Sequence, residues 1–308
     1  MEPLVSIKNL SKHFGSFIAV DSLSFEANRG EVLGFLGPNG AGKTTTMRML
    51  TGYLSPSAGR ASICGLDIES NSLEAKKRIG YLPEGGPLYG EMSPLAFLTF
   101  IGAVRGLSGG DLSSRLDFVV EKLELSGVIK QSIDTLSKGF KRRVALAQAI
   151  IHDPEVLILD EPTDGLDPNQ KHHVRELIKS MAKDKAIIIS THILEEVDAI
   201  CARAIIIARG SIVATGTPEE IRIKASSHNA VKVKLRKDSA DKILSDILKI
   251  KNIDKVKMDS TNSIIASSKN GKDILKDISD VLYKQQYQIE EMYIVKGTLD
   301  EAFRELTS

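Results

Sequence analysis

The chain has 308 residues, enough for one large domain with a smaller one, or for two domains. Its apolar fraction of 42% and charged fraction of 26% are those of an ordinary soluble globular protein. A net charge of +1 at pH 7 excludes a broad electrostatic field that would recruit nucleic acid or acidic lipid.

The two cysteines, Cys64 and Cys201, lack C-x-x-C spacing and read as packing residues in a reducing compartment. The N-terminus has neither a basic start nor an apolar signal core. The most apolar run, Pro94 to Val104, falls short of the about 20 residues that span a bilayer. The expected location is therefore cytoplasmic, with any membrane role exerted through a partner.

From Leu4 to Phe25 apolar and polar residues alternate, which predicts antiparallel strands with one covered face. Phe14, just before Gly15, either stacks on a nucleotide base or packs inward as a strand aromatic. After the turn at Asn28-Arg29-Gly30, the apolar run Glu31 to Leu36 reads as a buried strand. It leads directly into Gly37-Pro38-Asn39-Gly40-Ala41-Gly42-Lys43-Thr44-Thr45, and Thr45 to Leu50 reads as the start of a helix. This strand–loop–helix setting is what the pattern G-x-x-x-x-G-K-[ST] requires. Glycines let the backbone wrap closely and point its N–H groups at phosphate oxygens, and the helix start adds further donors. In this setting Lys43 bridges the terminal phosphates and the Thr44 hydroxyl holds Mg²⁺.

Arg60 to Cys64 and Ile79 to Leu82 predict short strands, with a polar helix over Ser72 to Arg78 before the second. Pro83-Glu84-Gly85-Gly86-Pro87 then breaks regular structure, as a hinge or as a surface loop. Helical periodicity over Ser93 to Val104, Leu112 to Leu123 and Gly139 to Ile151 marks a helix-rich insertion of about residues 85–152. Within it, Ser137 and the backbone N–H groups near Gly139 form a second anion-binding helix start. Lys141, Arg142 and Arg143 read as a solvated basic face.

Val156 to Leu159 is continuously apolar and predicts a strand buried on both faces. It ends in Asp160-Glu161, two carboxylates that are costly there unless paired or bound to metal. Ligands of open parallel sheets sit at the carboxyl ends of strands. That placement gives Asp160 to Mg²⁺ and Glu161 to an attacking water, as orienting group or base. Gly165 to Pro168 turns into a helix over Asn169 to Met181, and the buried strand Ala186 to Ser190 ends in Thr191-His192. His192, at a third strand tip, is a candidate phosphate contact. His13, His152, His172, His173 and His228 read as surface or packing residues.

Ala204 to Ala208 and Ser211 to Ala214 form a hairpin-like pair, and Ala225 to Asn229 reads as a linker between domains at 1–224 and 230–308. The remainder, with a strand near Val231 to Leu235, a helix near Ala240 to Leu248, strands near Ile253 to Met258 and Ser263 to Ala266, a helix near Ile274 to Leu282 and a strand near Gln288 to Val295, has the β-α-β-β-α-β order of a ferredoxin-like domain. A final helix spans Leu299 to Leu306, and this domain carries no catalytic constellation.

Taken in order, Gly37–Thr45, Leu136–Phe140, Val156–Glu161, Gly165–Asp167 and Thr191-His192 resemble the ATP-binding cassette of ABC transporters over roughly the first 220 residues. The C-terminal part, ending in Thr298-Leu-Asp-Glu-Ala-Phe303, resembles that of ABC-2 exporter cassettes. The resemblance implies an α/β P-loop NTPase with a mixed, mainly parallel core sheet, an antiparallel β subdomain, a helical insertion and a small α+β domain. It implies an ATPase with ATP and Mg²⁺ as cofactors and a separately encoded integral-membrane subunit as partner, on the inner face of the cell membrane. A second copy, or a paralogous cassette, would close on the nucleotide. Ser137 and Gly139 of one cassette would then touch the γ-phosphate held by the other, Asp167 would bind nucleotide, and the membrane subunit would act on Glu84 to Arg105.

Three motifs depart from their usual form. Leu136-Ser-Lys-Gly-Phe140 stands for Leu-Ser-Gly-Gly-Gln, so Lys138 and Phe140 are unusual. Glu84, expected to contact Mg²⁺ and water, stands for a glutamine, and Phe14 for a base-stacking tyrosine. A soluble regulatory ABC ATPase is the alternative, although such chains commonly carry two cassettes. A DNA-repair ATPase would need a coiled-coil insertion, and no heptad run interrupts this sequence.

Overall fold

Alternating residues build one sheet of this protein and uninterrupted apolar runs build another. The computed structural model describes residues 2–86, 88–236, 240–269 and 272–308. Strands β1 (Val5–Phe14) and β2 (Phe17–Ala27) form an antiparallel pair, extended by β4 (Ala58–Ile63) and β5 (Leu66–Asp67) in the order β2-β1-β4-β5. Between them in sequence lie β3 (Glu31–Leu36) and α1 (Lys43–Leu50). After β5 come α2 (Ser72–Lys77) and β6 (Ile79–Leu82), and then the insertion with α3 (Pro94–Val104), α4 (Gly109–Lys122) and α5 (Lys138–Ile150).

The chain continues through β7 (Val156–Asp160), α6 (Pro168–Ala182), β8 (Ala186–Thr191), α7 (Leu194–Ile200), β9 (Arg203–Ala208), β10 (Ser211–Gly216) and α8 (Pro218–Arg222). The large sheet has the order β10-β9-β3-β8-β7-β6, and β9, β3, β8, β7 and β6 run parallel. Every residue of β7 and β8 is buried, as their unbroken apolar runs require. Register then matters more than strand identity. Leu36 lies level with Thr191, Asp160 with Ser190 and Leu82 with Leu159, so four strands release their chains at one edge. Pro87, part of the expected break after β6, lies outside the described residues.

The contacts divide the chain into two compact units, residues 1–215 and 216–308. The division precedes the 225–229 stretch expected as a linker. α8 packs against α11 (Leu299–Thr307), and the Ser226 backbone N–H donates to Glu305 Oε2 at 2.9 Å, so this stretch is tied into the second unit. There, β11 (Ala230–Leu235), α9 (Ala240–Ile247), β12 (Ile253–Ser260), β13 (Ser263–Ser268), α10 (Leu275–Lys284) and β14 (Ile289–Val295) make an antiparallel sheet ordered β12-β13-β11-β14. This is the β-α-β-β-α-β arrangement, with Val233, Ile243, Ile264, Ile278 and Leu282 in its core. Among the described residues no helix is long and apolar enough to cross a membrane.

Ile188 is fully buried at the centre of β8, paired with Leu33 on one side and Ile158 on the other. Replacing it by alanine should cost about 2–5 kcal/mol of unfolding free energy, read from urea unfolding at unchanged slope. A loss below about 1 kcal/mol would contradict a close-packed sheet centre at this position.

Candidate nucleotide site

The residues that the register brings level surround a cavity of about 590 Å³. Asn39, Gly40, Gly42, Lys43, Thr44 and Thr45 line one side. Glu84 from beyond β6, Asp160 from the end of β7, Glu161 just after it, and His192 from beyond β8 line the other. The loop is shaped by its glycines. Gly42 has φ 105°, and a Cβ there would lie 2.6 Å from the Ala19 carbonyl oxygen. At Gly37 a Cβ would lie 2.5 Å from the Ile207 carbonyl oxygen. Pro38 and Ala41 shape the same loop without lining the cavity, the Ala41 N–H donating to the Pro38 carbonyl at 3.2 Å. α1 starts at Lys43 with no side-chain cap, so its first-turn donors are not taken by a capping side chain.

Lys43 is buried, and its Nζ donates to the Gly37 carbonyl at 2.6 Å and to the Pro38 carbonyl at 3.2 Å. Burial pushes its ammonium below the ordinary lysine value, against the opposing pull of Glu161, Asp160 and Glu84. This is a cation held among carboxylates in a cavity lined by backbone donors, a composition suited to a polyphosphate with a divalent ion. Asp160 is 2% exposed, and its Oδ2 is buried without a hydrogen-bond partner. An orphaned carboxylate oxygen at that depth fits a hard cation, and Thr44 and Glu84 add oxygen donors to the same cavity. Among the described residues no group of three or more His, Cys, Asp and Glu could hold a metal by itself. The donor set therefore suits Mg²⁺, which is commonly held by one or two carboxylates together with substrate phosphates.

Glu161 is the most constrained side chain of the site. Its backbone sits in the left-handed region at φ 50°, and its N–H donates to the Ser190 carbonyl at 2.8 Å. The carboxylate accepts from the Thr191 hydroxyl at 3.2 Å and from the His192 backbone N–H at 3.1 Å, and His192 Nδ1 lies 2.7 Å away. Its carbonyl and that of Asp160 both accept from the Arg142 guanidinium, which also donates to the Pro83 carbonyl at 3.1 Å.

Arg142 corrects the expected solvated basic face. Arg142 and Arg143 are buried, and burial lowers the Arg142 pKa against the pull of Asp164, Asp160, Glu161 and Glu84. Arg143 donates to the Leu123 carbonyl at 3.0 Å, and its guanidinium lies 4.2 Å from the Phe140 ring centroid. The burial of α5 explains the miss. α5 is buried around most of its circumference, every residue from Arg142 to Ala147 included, so positions 142 and 143 are covered where three consecutive basic letters suggest an exposed face.

The remaining expected residues are placed apart from the cavity. Phe14 is half exposed, with Lys12 Nζ 5.3 Å from its ring centroid, so it does not pack inward. Its cross-strand partner Phe17 lines the cavity instead. Ser137 caps α5, accepting from the Phe140 N–H at 3.3 Å, and Asp167 caps α6, accepting from the Gln170 N–H at 2.9 Å. Ser137, Gly139 and Asp167 do not line the cavity. Asp164 does, although no motif pointed to it.

The ABC transporter family pattern matches residues 20–164. The uncharacterized ABC transporter ATP-binding protein YhcH of Bacillus subtilis is 33% identical over 310 residues, which cover 100% of this chain and 97% of that protein. The probable multidrug ABC transporter ATP-binding protein YbhF of Escherichia coli is 36% identical over 227 residues, 73% of this chain, and the match spans only 39% of YbhF. A solved structure described as the ATP binding subunit of an ABC transporter aligns with TM-score 0.67 at 30% identity, covering 71% of this chain and 92% of that one.

Replacing Lys43 by alanine removes the buried cation while leaving the loop glycines in place. ATP affinity measured by calorimetry should fall by at least about tenfold, equivalent to 1.4 kcal/mol. Unchanged affinity in a folded variant would remove this cavity as the phosphate site.

Proposed function

The chain belongs to the ATP-binding proteins of ABC transporters, a family of ATPases, and from that premise we propose that it hydrolyses Mg²⁺-bound ATP at the strand-tip cavity to drive a separately encoded ABC-2 type membrane exporter. The observation that carries the reading is the convergence of Lys43, Asp160, Glu161 and His192 from three neighbouring strand ends on one cavity. The backbone of Gly37 to Thr45 wraps the phosphates, with Lys43 at the terminal ones. Thr44, Asp160 and Glu84 would hold Mg²⁺, which when bound would neutralise phosphate charge. Glu161, fixed on one side by Thr191 and on the other by His192, orients the attacking water and takes its proton. His192, beside Glu161, contacts the γ-phosphate. The adenine base stacks at the tip of the β1–β2 hairpin, where Phe14 and Phe17 face each other across the strands.

Ser137, Gly139 and Asp167 act on a nucleotide held by a second copy or a paralogous cassette, which is consistent with their placement away from this chain's own cavity. ATP that binds the closed pair better than the open one shifts the population toward closure. The membrane subunit docks over the Glu84–Arg105 region, where a cavity of about 620 Å³ is lined by Tyr53, Tyr89, Phe97, Ile101 and Arg105. Tyr53 there is 78% exposed, an aromatic left open to a partner. The relation to YbhF, named as a probable multidrug ABC transporter ATP-binding protein, supports an export role, on the cytoplasmic face of the cell membrane.

Glu161→Gln should retain ATP binding, lose nearly all turnover and accumulate an ATP-dependent dimer in light scattering. Turnover within about tenfold of wild type, a barrier change of only 1.4 kcal/mol, would exclude Glu161 as the base.

A further inference from the structure

Behind Glu161 lies a second glutamate that the reaction as described does not use. Glu196, on α7, is 1% exposed. The Thr163 hydroxyl donates to its Oε1, and its Oε2 lies 3.1 Å from the Thr191 hydroxyl oxygen. That same oxygen lies 3.2 Å from Glu161 Oε2 and accepts the Ile193 N–H at 3.0 Å. A threonine hydroxyl has one proton to give. It cannot donate to two carboxylates at once, so with both glutamates ionised one of the two contacts would hold no proton.

The surroundings decide which glutamate carries the extra one. Glu161 borders the cavity that holds Lys43 and accepts the His192 backbone N–H. Glu196 is enclosed and has threonine hydroxyls as its hydrogen-bond partners. The charged and titratable groups around it are Glu161, Arg175 and Lys171 at longer range, together with the Cys201 thiol, which burial pushes up to about 12.

We propose that Glu196 is a positioning residue held as the neutral carboxylic acid, whose O–H donates to Thr191 and thereby aims the Thr191 hydroxyl proton at the Glu161 carboxylate. The order of donation is Glu196 to Thr191 to Glu161, with Thr163 donating to the second oxygen of Glu196. Burial raises the Glu196 pKa, which favours the protonated form, and the nearby Glu161 charge acts in the same direction, against the opposing pulls of the Thr191 hydrogen bond, Arg175 and Lys171. The arrangement leaves Glu161 to take the proton while Glu196 supplies only direction. The functional half of this inference rests on Glu161 acting as the base; the protonation state of Glu196 does not.

Two measurements on the purified full chain test it. Infrared difference spectra of wild type against Glu196→Gln at neutral pH should show a protonated-carboxyl C=O band that shifts in D₂O and is lost in the variant. In Glu196→Gln the amide N–H donates to Thr191 and the carbonyl accepts from Thr163, so kcat should stay within about threefold of wild type. Thr191→Val and Glu196→Ala should each lower kcat by about tenfold, the rate equivalent of one hydrogen bond to a charged group. Absence of the carboxyl band, or a glutamine variant as impaired as the alanine one, overturns the proposal. The infrared band is read without ATP, so its presence alongside an active Glu161→Gln variant would locate the failure in the base assignment and not in Glu196.

Discussion

The structure depends on the register of its parallel strands. β3, β8 and β7 are hydrogen-bonded so that Leu36 is level with Thr191 and Ser190 with Asp160. Because side chains alternate faces along a strand, a slip of one residue in any of the three would send its last side chain to the opposite face. The buried interior enforces the alignment. Leu157, Ile158, Ile187, Ile188, Leu33 and Phe35 are each 0% exposed, so a slip would have to expose or repack them. The cost of placing Asp160 and Lys43 at that edge is offset by the apolar burial of these strands.

Around Glu161 a strained backbone is held by several groups at once. A non-glycine residue in the left-handed region costs on the order of 1–3 kcal/mol where nothing compensates it. Here the Ser190 carbonyl fixes the Glu161 N–H, and Arg142 binds the Asp160 and Glu161 carbonyls. Arg142 belongs to α5, the helix that Ser137 caps, and it also binds Pro83 at the exit of β6. One buried guanidinium thus ties the helix bearing Ser137 and Gly139 to the strand ends bearing Glu84 and Glu161. A rearrangement of that helix would be felt at both ends through a contact that does not touch nucleotide.

The sequence disclosed those parts of the site that are set locally. The phosphate loop, the buried runs of β7 and β8 and the acidic exit of β7 each combine a composition signal with a fixed spacing, and the structure gathers their residues at one cavity. The ferredoxin-like order of the C-terminal unit followed from alternation and helical period in the same way. What stayed hidden depends on contacts between distant segments. Arg142 became a buried clamp only when α5 packed across β6, and Thr163, Glu196 and Thr191 meet only when α7 folds back on β8. The choice between Phe14 and Phe17 at the cavity depends on a hairpin turn that pairs them, which no periodicity discloses. The first unit ends at residue 215, ahead of Ala225 to Asn229, which looks like a linker by composition, yet two of its serines are bound by carboxylates of α11.

The central claim is that one magnesium-nucleotide pocket is assembled from neighbouring strand tips and completed by a second cassette. The most direct measurement is a structure of the Glu161→Gln protein trapped with ATP and Mg²⁺. The account predicts the triphosphate in the cavity against Lys43, the metal on Asp160 Oδ2, and Ser137 of the opposing copy in hydrogen-bond reach of the γ-phosphate. A triphosphate seated away from Lys43 and Asp160, or a nucleotide-loaded pair in which Ser137 faces solvent, would contradict it.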